Sequence, residues 1–263
     1  MKKVSKFGAW LAMAGILLGI AVTVSAQNED RDPAAALERE FGVLEDNTRE
    51  GRRFNSQMDR VVQQMVDAVN RTNRGTRFQL KSAKILGGKV EKNDKVVNAF
   101  ALPDGRIYVT LGLLRVLEDS DHADDELAFV VGHEITHVVE KHAISQQKRS
   151  LPAGIAAVLL GALTKNKTVG TVASAGAAAY SAKFSRQDEY RADRGGLLAM
   201  DQARFDLDAA VQMLRRLESK GEASNRLANG IFGSHPLTAN RVEKIQQMVR
   251  DIRAGRPISA TGS

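Results

Sequence analysis

Five consecutive residues, His133-Glu134-Ile135-Thr136-His137, carry the strongest chemical signal in this sequence. On a helix, the i, i+4 spacing places the two imidazoles on a single face, so that both can bind one metal ion. Glu134 is rotated by about 100° from His133 and can act on a metal-bound water without being a ligand. The alternative interpretation is a solvated polar helix face, because the five-residue pattern also arises by chance.

A catalytic zinc site normally has three protein ligands and leaves the fourth position to water, so a third ligand is needed. A metzincin would supply it a few residues further on, with a glycine at position 140 and a histidine at position 143. The sequence has Glu140 and Ala143 there, and His142 is one residue out of register. That class is therefore excluded. We interpret His142 as a surface residue, and His122, in the acidic stretch before the motif, in the same way.

The remaining source of a third ligand is an acidic residue on a later helix. Glu189 and Asp193 are spaced i, i+4, so that one can bind the metal while the other hydrogen-bonds a ligand histidine. Asp188 is a rival for the ligand role, although it lies about 100° away from the Asp193 face. A solvated acidic helix face is the alternative interpretation of these residues.

The composition restricts any metal to histidine and carboxylate ligands, because the 263 residues include no cysteine. Disulfide frameworks, zinc fingers, iron–sulfur clusters and thiol nucleophiles are thereby excluded. The net charge of +7 is not evidence for a nucleic-acid partner either. The first 26 residues hold three lysines and no acid, which leaves 35 basic against 31 acidic residues, or +4. We therefore expect no nucleic-acid partner.

The first 26 residues are predicted to be an export signal. Three lysines precede an almost unbroken apolar run from Phe7 to Val24, and Val24-Ser25-Ala26 offers small residues at a cleavage spacing. The alternative is an uncleaved membrane anchor, since eighteen residues is near the lower limit for a bilayer span. Either way, we expect the rest of the chain to be periplasmic or secreted.

Helical periodicity brackets a short β-prone region. Apolar residues recur at helical spacing from Pro33, after Gly51 and from Asp121 to Gln147. Between them, three or four short strands are predicted from runs at Phe78–Leu80, Val96–Leu102 and Arg106–Thr110. Later helices are predicted at Arg186–Met200, Leu207–Leu217 and Thr238–Ile252. The pattern indicates an α+β, mainly helical domain over residues 27–253, with a disordered tail over residues 254–263.

Two Ala/Gly-rich apolar stretches, Leu151–Leu163 and Val169–Ala182, follow the motif. At 13 and 14 residues, each is too short to cross a membrane. We interpret them as a tightly packed helical hairpin, because small residues permit close packing. The alternative is that residues 151–182 make a peripheral contact with a membrane surface.

Three blocks of the sequence, in this order, resemble the M48 family of zinc metallopeptidases. They are HEITH at 133–137, EYRAD at 189–193 and SHPLTANR at 234–241. The resemblance runs from about residue 55 to residue 250 and implies a zincin-like (gluzincin) core with one Zn²⁺ per chain. It further implies that His133, His137 and Glu189 bind zinc, with Glu134 as general base. Asp193 would support a ligand histidine.

The same resemblance implies roles for residues outside the metal ligands. His235 would face the substrate carbonyl or the open position of the metal, and Arg241 would brace the loop of His235. An edge strand before the active-site helix would hold an extended peptide by main-chain hydrogen bonds. The residues of this strand are Asn98, Ala99, Phe100 and Ala101.

The sequence therefore predicts an exported zinc endopeptidase whose partners are unfolded or misassembled envelope proteins. A second hypothesis is a peptide-binding or chaperone-like module with a structural or gated zinc site, for instance with His235 in the fourth metal position. The presence of Glu134 argues against the second hypothesis, because a purely structural site has no use for a base.

Overall fold

The computed structural model describes residues 33–142, 184–223, 235 and 239–258. The predicted export signal and the two Ala/Gly-rich stretches lie outside these residues. The chain divides into two compact units, one of residues 1–37 and 143–182 and the other of residues 38–142 and 183–263. Apart from the first turn of the first helix, every element below belongs to the second unit.

Seven helices and three strands are found among the described residues. The helices are α1 (Pro33–Phe41), α2 (Arg49–Thr72), α3 (Leu111–Leu117), α4 (Ala123–Val139), α5 (Arg186–Ala203), α6 (Asp208–Ala223) and α7 (Ala239–Arg253). The strands are β1 (Ser82–Leu86), β2 (Ala99–Ala101) and β3 (Arg106–Thr110). The predicted α+β, mainly helical fold is confirmed. In this part of the chain, no helix is both long and apolar enough to cross a membrane.

The strands form one small mixed sheet in the order β1-β3-β2. Strand β1 runs parallel to β3, while β2 runs antiparallel to it and lies at the edge of the sheet. A Pro-Asp-Gly turn, residues 103–105, joins β2 to β3, and Gly105 within it has φ of 91°. A Cβ on this residue would lie 1.9 Å from the carbonyl oxygen of Gln79, so only glycine fits the turn.

The first strand begins at Ser82, and the strand predicted at Phe78–Leu80 is wrong. The Asn70 side chain, on α2, donates from Nδ2 to the Phe78 carbonyl and accepts from the Phe78 amide, both at 2.8 Å. Because one amide side chain satisfies both backbone groups, Phe78 needs no strand partner. Its ring is buried in the hydrophobic core.

Helices α4 and α5 pack closely because glycines line their contact. A Cβ on Gly195 would lie 2.4 Å from Thr136 Oγ1, and a Cβ on Gly132 would lie 3.1 Å from Gly196 Cα. Helix α2 packs against both, with a buried apolar stripe that includes Met58 and Met65. The helix that carries the histidine motif therefore lies directly beside the helix that carries the acidic pair.

Helix α4 is shorter than the predicted span Asp121–Gln147. It begins at Ala123 and ends at Val139, after which the Glu140 amide still donates to Thr136 and the Lys141 amide to Val138. Lys141 then adopts a left-handed conformation with φ of 58°. This residue reverses the chain direction, as left-handed residues commonly do at helix C-termini.

At its other end, α4 is joined to α6. Glu126 lies in the first turn of α4, is fully buried, and forms an ion pair with Arg216 of α6. Ser120 Oγ donates to the same carboxylate at 3.0 Å. At the C-terminus, residues 254–258 continue past α7, and Arg194 donates to the Ile258 carbonyl at 3.0 Å. The prediction of disorder is therefore wrong for residues 254–258.

Candidate metal centre

Four buried side chains converge at the contact between α4 and α5. They are His133 and His137 from α4, Glu189 from α5, and His235, which precedes α7. One ligand atom from each lies within 4.8 Å of all the others. The histidines share a face because of their i, i+4 spacing, and the close approach of the two helices brings Glu189 to the same point.

The spacing of the donor atoms fits a tetrahedral zinc site. His133 Nε2 lies 3.0 Å from His137 Nε2 and 3.2 Å from His235 Nδ1, which lies 3.0 Å from Glu189 Oε1. The Glu189 oxygens lie 3.6 Å from His133 Nε2 and 3.5 Å from His137 Nε2. Zn²⁺ with bonds of about 2.0–2.2 Å separates its ligand atoms by about 3.4 Å. The observed distances bracket that value.

The chemistry of the donors fits zinc as well. Glu189 Oε2 is buried and has no hydrogen bond from the described residues, although Arg241 Nη1 lies 2.8 Å from it. The His133 and His137 rings both turn Nε2 toward the cluster, where a cation would take their lone pairs. Two imidazoles and one carboxylate form one of the ligand sets that hold catalytic zinc.

Asp193 and Arg241 contact the clustered side chains on the side away from the donor atoms. Asp193 Oδ1 lies 2.9 Å from His133 Nδ1, which fixes the ring with Nε2 toward the cluster. Arg241 donates two hydrogen bonds of 2.7 Å to the Asp193 carboxylate. It also forms the ion pair with Glu189, so one guanidinium bridges both acids of α5.

These contacts determine the charge of the two carboxylates in the metal-free chain. Burial alone would raise the pKa of Asp193, but the Arg241 guanidinium and the hydrogen bond with His133 lower it to about 2. Burial likewise opposes ionisation of Glu189, and Arg241 lowers its pKa as well. Asp193 and Glu189 are therefore both ionised at neutral pH.

Glu134 lies beside the cluster without belonging to it. Its Oε1 is 3.4 Å from His235 Nε2, and burial raises its pKa, against the opposing effect of the neighbouring histidines. Burial and the neighbouring imidazoles also lower the pKa of His137, which keeps this ring neutral as a ligand must be. A carboxylate with a raised pKa next to a metal centre is suited to accept a proton.

Comparison with known proteins settles the family. Residues 53–249 match the family described as Peptidase family M48. The chain belongs to this family of zinc metallopeptidases.

Three relatives of this M48 chain illustrate the match. The mitochondrial metalloendopeptidase OMA1 of Arabidopsis thaliana is 30% identical over 173 residues, which are 62% of this chain and 34% of that protein. The protein of the same name from Schizosaccharomyces pombe is 29% identical over 171 residues, 63% of this chain and 48% of that protein. The beta-barrel assembly-enhancing protease of Escherichia coli (strain K12) is 27% identical over 170 residues, which are 61% of this chain and 34% of that protein. The chain therefore spans a third to a half of these relatives.

Asp188, the rival for the ligand role at this M48 site, is directed elsewhere. The Ser185 amide donates to Asp188 Oδ2 at 3.3 Å, and the Asp188 amide donates back to Ser185 Oγ at 3.2 Å. This reciprocal pair is a capping box that begins α5. Asp188 organises the helix start, one position before Glu189, and is not among the clustered donors.

His142 is buried, so its interpretation as a surface residue is wrong. It is 1% exposed, its Nδ1 lies 3.0 Å from His137 Nδ1, and its Nε2 lies 3.1 Å from Glu140 Oε2. On a continued helix it would lie about 140° around from His137. The left-handed Lys141 instead folds it back onto that ring. The His122 side chain is 42% exposed, as predicted.

Phe184 is a neighbour of the centre that the sequence analysis missed. Its ring centroid lies 3.9 Å from that of His137 and 5.2 Å from that of His235. Nothing in the local pattern marks it, because it immediately precedes the capping box and belongs to no helix. It covers two imidazoles of the M48 centre with an apolar surface.

The predicted substrate strand lies at the sheet edge, and β2 packs against α4. Asn98 precedes it and pairs with Thr110, while Leu102 follows it and donates to Arg106. Because hydrogen-bonded pairs alternate along an antiparallel ladder, the peptide groups of Ala99 and Ala101 point away from β3. The Ala99 amide is taken by Asn98 Oδ1 at 3.0 Å. Phe100 stacks on Tyr108 with ring centroids 5.1 Å apart.

Proposed function

We propose that this M48 chain is an exported zinc endopeptidase that hydrolyses unfolded or misassembled envelope proteins. The observation that carries the proposal is the position of Glu134. It is buried next to the three donors His133, His137 and Glu189, yet it is not one of them. A zinc site that only stabilised the fold would gain nothing from a buried carboxylate that is not one of the metal ligands.

His133, His137 and Glu189 would hold the zinc, which when bound lowers the pKa of a water to about 7 and polarises the scissile carbonyl. Glu134 accepts a proton from the attacking water and transfers it to the leaving amine. Its raised pKa suits both steps, because a base must also give the proton back. His235, whose Nε2 lies 3.4 Å from Glu134 Oε1, donates a hydrogen bond to the oxyanion that develops on the substrate.

One observation favours the second candidate, a gated site. His235 Nδ1 lies 3.2 Å from His133 Nε2 and 3.0 Å from Glu189 Oε1, where it would serve as a fourth metal ligand. In that position it excludes the water that hydrolysis requires. The two candidates differ in the effect of His235→Ala. Loss of an oxyanion donor lowers kcat about 10²- to 10³-fold, whereas removal of a blocking ligand raises the rate of hydrolysis.

The substrate class follows from the edge strand. The Ala99 carbonyl and the backbone groups of Ala101 point away from β3, and an extended segment could pair with them as an additional strand. Main-chain pairing reads no particular side chain, so it suits unfolded segments of many proteins. The predicted export signal, and a relative named for assisting beta-barrel assembly, support substrates in the cell envelope. A peripheral membrane contact through residues 151–182 stays the alternative to the helical hairpin that the sequence predicts there.

The test is hydrolysis of unfolded casein by the purified full chain, compared with a folded protein of similar size. We expect the chain to cleave casein but not the folded protein. A chelator should abolish the cleavage, and added zinc should restore it. His137→Ala is expected to be inactive, while His122→Ala, the exposed control at the N-terminal end of the same helix, keeps full activity. Zinc-loaded chain that cleaves nothing, with or without His235→Ala, would contradict the peptidase proposal and favour a peptide-binding module.

A further inference from the structure

The two ligand histidines of α4 are supported by different partners. His133 Nδ1 faces the Asp193 carboxylate at 2.9 Å, whereas His137 Nδ1 faces His142 Nδ1 at 3.0 Å. In both rings, Nε2 is thereby turned toward the cluster, and the two Nε2 atoms lie 3.0 Å apart. We propose that His142 is a positioning residue, which holds His137 in the tautomer that leaves Nε2 free to bind metal.

The positions of the protons follow from Glu140, the third residue in this series of contacts. His142 Nε2 lies 3.1 Å from Glu140 Oε2, and the carboxylate oxygen is the acceptor of this hydrogen bond. His142 Nε2 therefore carries a proton, and in this tautomer Nδ1 of His142 is an acceptor. Between two nitrogens 3.0 Å apart there is room for one proton, so His137 Nδ1 must be the donor. His137 Nε2 then keeps its lone pair for the metal.

The backbone is arranged to bring His142 to this position. Helix α4 ends at Val139, and Lys141 adopts φ of 58°, which a side-chain-bearing residue rarely does. This turn buries the imidazole of His142 to 1% exposure, while the Glu140 side chain remains 34% exposed. A buried imidazole with both nitrogens engaged is a better match for a hydrogen-bonded support than for an apolar filler.

His142 is not itself a candidate ligand in this geometry. Its near nitrogen faces Nδ1 of His137, on the opposite side of that ring from the clustered Nε2 atom. The rings meet edge to face, with centroids 4.9 Å apart and planes inclined by 80°. His142 therefore acts on the metal through His137, as Asp193 does through His133.

The inference rests on the metal site of the proposed function, but it is tested without substrate. Zinc affinity of the full chain is measured by competition with a chromogenic chelator. We expect His142→Phe, which fills the space but accepts no hydrogen bond, to weaken zinc binding about 10- to 100-fold. His142→Asn places an amide oxygen near the position of Nδ1 and is expected to stay within about threefold of the original chain. His122→Phe is the matched control and should not change the affinity.

A second measurement reports the tautomer directly. Two-bond ¹H–¹⁵N correlation spectra of the metal-free chain, labelled at histidine, should show His137 protonated at Nδ1. In His142→Phe we expect loss of this single tautomer, and Glu140→Ala, at a more exposed position, should show a smaller shift in the same direction. These spectra remain informative if His142→Phe folds poorly, because Glu140→Ala leaves the buried imidazole in place.

The outcomes separate this inference from the peptidase proposal. If His142→Phe binds zinc as tightly as the original chain, or if His137 is protonated at Nε2 in the metal-free original chain, the positioning role is overturned. If His142→Asn binds zinc as weakly as His142→Phe, the lost hydrogen bond does not cause the weaker binding, and the positioning role is also overturned. Zinc binding that depends on His142 in a chain that cleaves nothing would support this inference and contradict only the peptidase activity.

Discussion

Arg241 and Asp193 are joined by two hydrogen bonds in the interior of the chain, Nε to Oδ2 and Nη2 to Oδ1, each 2.7 Å long. Both side chains are almost inaccessible to solvent. Asp193 in turn holds His133, and Arg241 also reaches Glu189. A single guanidinium from α7 thus fixes the two acids of α5 and, through one of them, a histidine of α4.

Replacing Arg241 should destabilise the chain strongly. Arg241→Met leaves two buried carboxylates, Asp193 and Glu189, without their cation, and breaking such a buried pair costs about 3–5 kcal/mol. Urea unfolding of the metal-free chain measures the change. The control is Arg253→Met, whose exposed guanidinium pairs with Asp208 and should cost less than about 1 kcal/mol. Equal effects of the two substitutions would contradict the structural role of Arg241.

The pairing of Asp193 should make stability depend on pH in acid. Its pKa in the folded chain, about 2, lies below the ordinary value of 3.8. The pairing therefore stabilises the fold fully above the ordinary pKa, and the stabilisation is lost as the pH falls through the folded value. From pH 5 to pH 2.5, the free-energy difference between the original chain and Asp193→Asn should shrink by about 1.5 kcal/mol. A difference that is constant over this range would show that Asp193 is not the group responsible.

The close contact of α4 and α5 should not tolerate a side chain at Gly195. A Cβ there would lie 2.4 Å from Thr136 Oγ1 and 2.5 Å from Thr136 Cγ2. Gly195→Ala should therefore cost about 1–3 kcal/mol in unfolding free energy and weaken zinc binding, because Glu189 moves with α5. Adding Thr136→Ala should recover part of the loss. Gly75→Ala is the control, since its Cβ would meet only Asn73 Oδ1, at 3.2 Å. No recovery in the double variant would argue against this contact as the cause.

The edge strand offers a test of substrate binding. The Ala101 amide points away from β3, so Ala101→Pro removes a hydrogen bond to substrate without removing one from the sheet. We expect kcat/KM for an unfolded protein to fall about five- to tenfold, mainly through KM, which corresponds to one lost hydrogen bond. Ala101→Val keeps the amide and should behave like the original chain. If valine and proline have the same effect, the loss does not come from main-chain pairing.

The sequence predicted those features that depend on local spacing. The i, i+4 pattern placed His133 and His137 on one face, and the same spacing linked Glu189 to Asp193. The α+β fold, and most helices to within a few residues, followed from apolar periodicity. Local spacing could not predict the convergence of α4 and α5. It depends on glycines such as Gly132, whose partners on the other helix are about 60 residues away in the sequence.

What the sequence did not predict depends on chain reversals and on distant partners. His142 is buried because Lys141 adopts a left-handed conformation, and lysine carries no signal for that conformation. Phe78 is not part of the sheet because the Asn70 side chain, on a helix, hydrogen-bonds both its amide and its carbonyl. Phe184 reaches His137 through tertiary packing alone. In each case the deciding contact joins residues that no periodic pattern connects.

The most direct test of the central claim is a pair of measurements on Glu134→Gln, the rate of casein hydrolysis and the zinc bound per chain. Glu134 is proposed to be the base and not a ligand, so we predict that hydrolysis falls at least about 10²-fold while zinc content stays unchanged. Glu243→Gln, an exposed glutamate of α7, is the control and should keep full activity. Hydrolysis at the original rate by zinc-loaded Glu134→Gln would contradict the account.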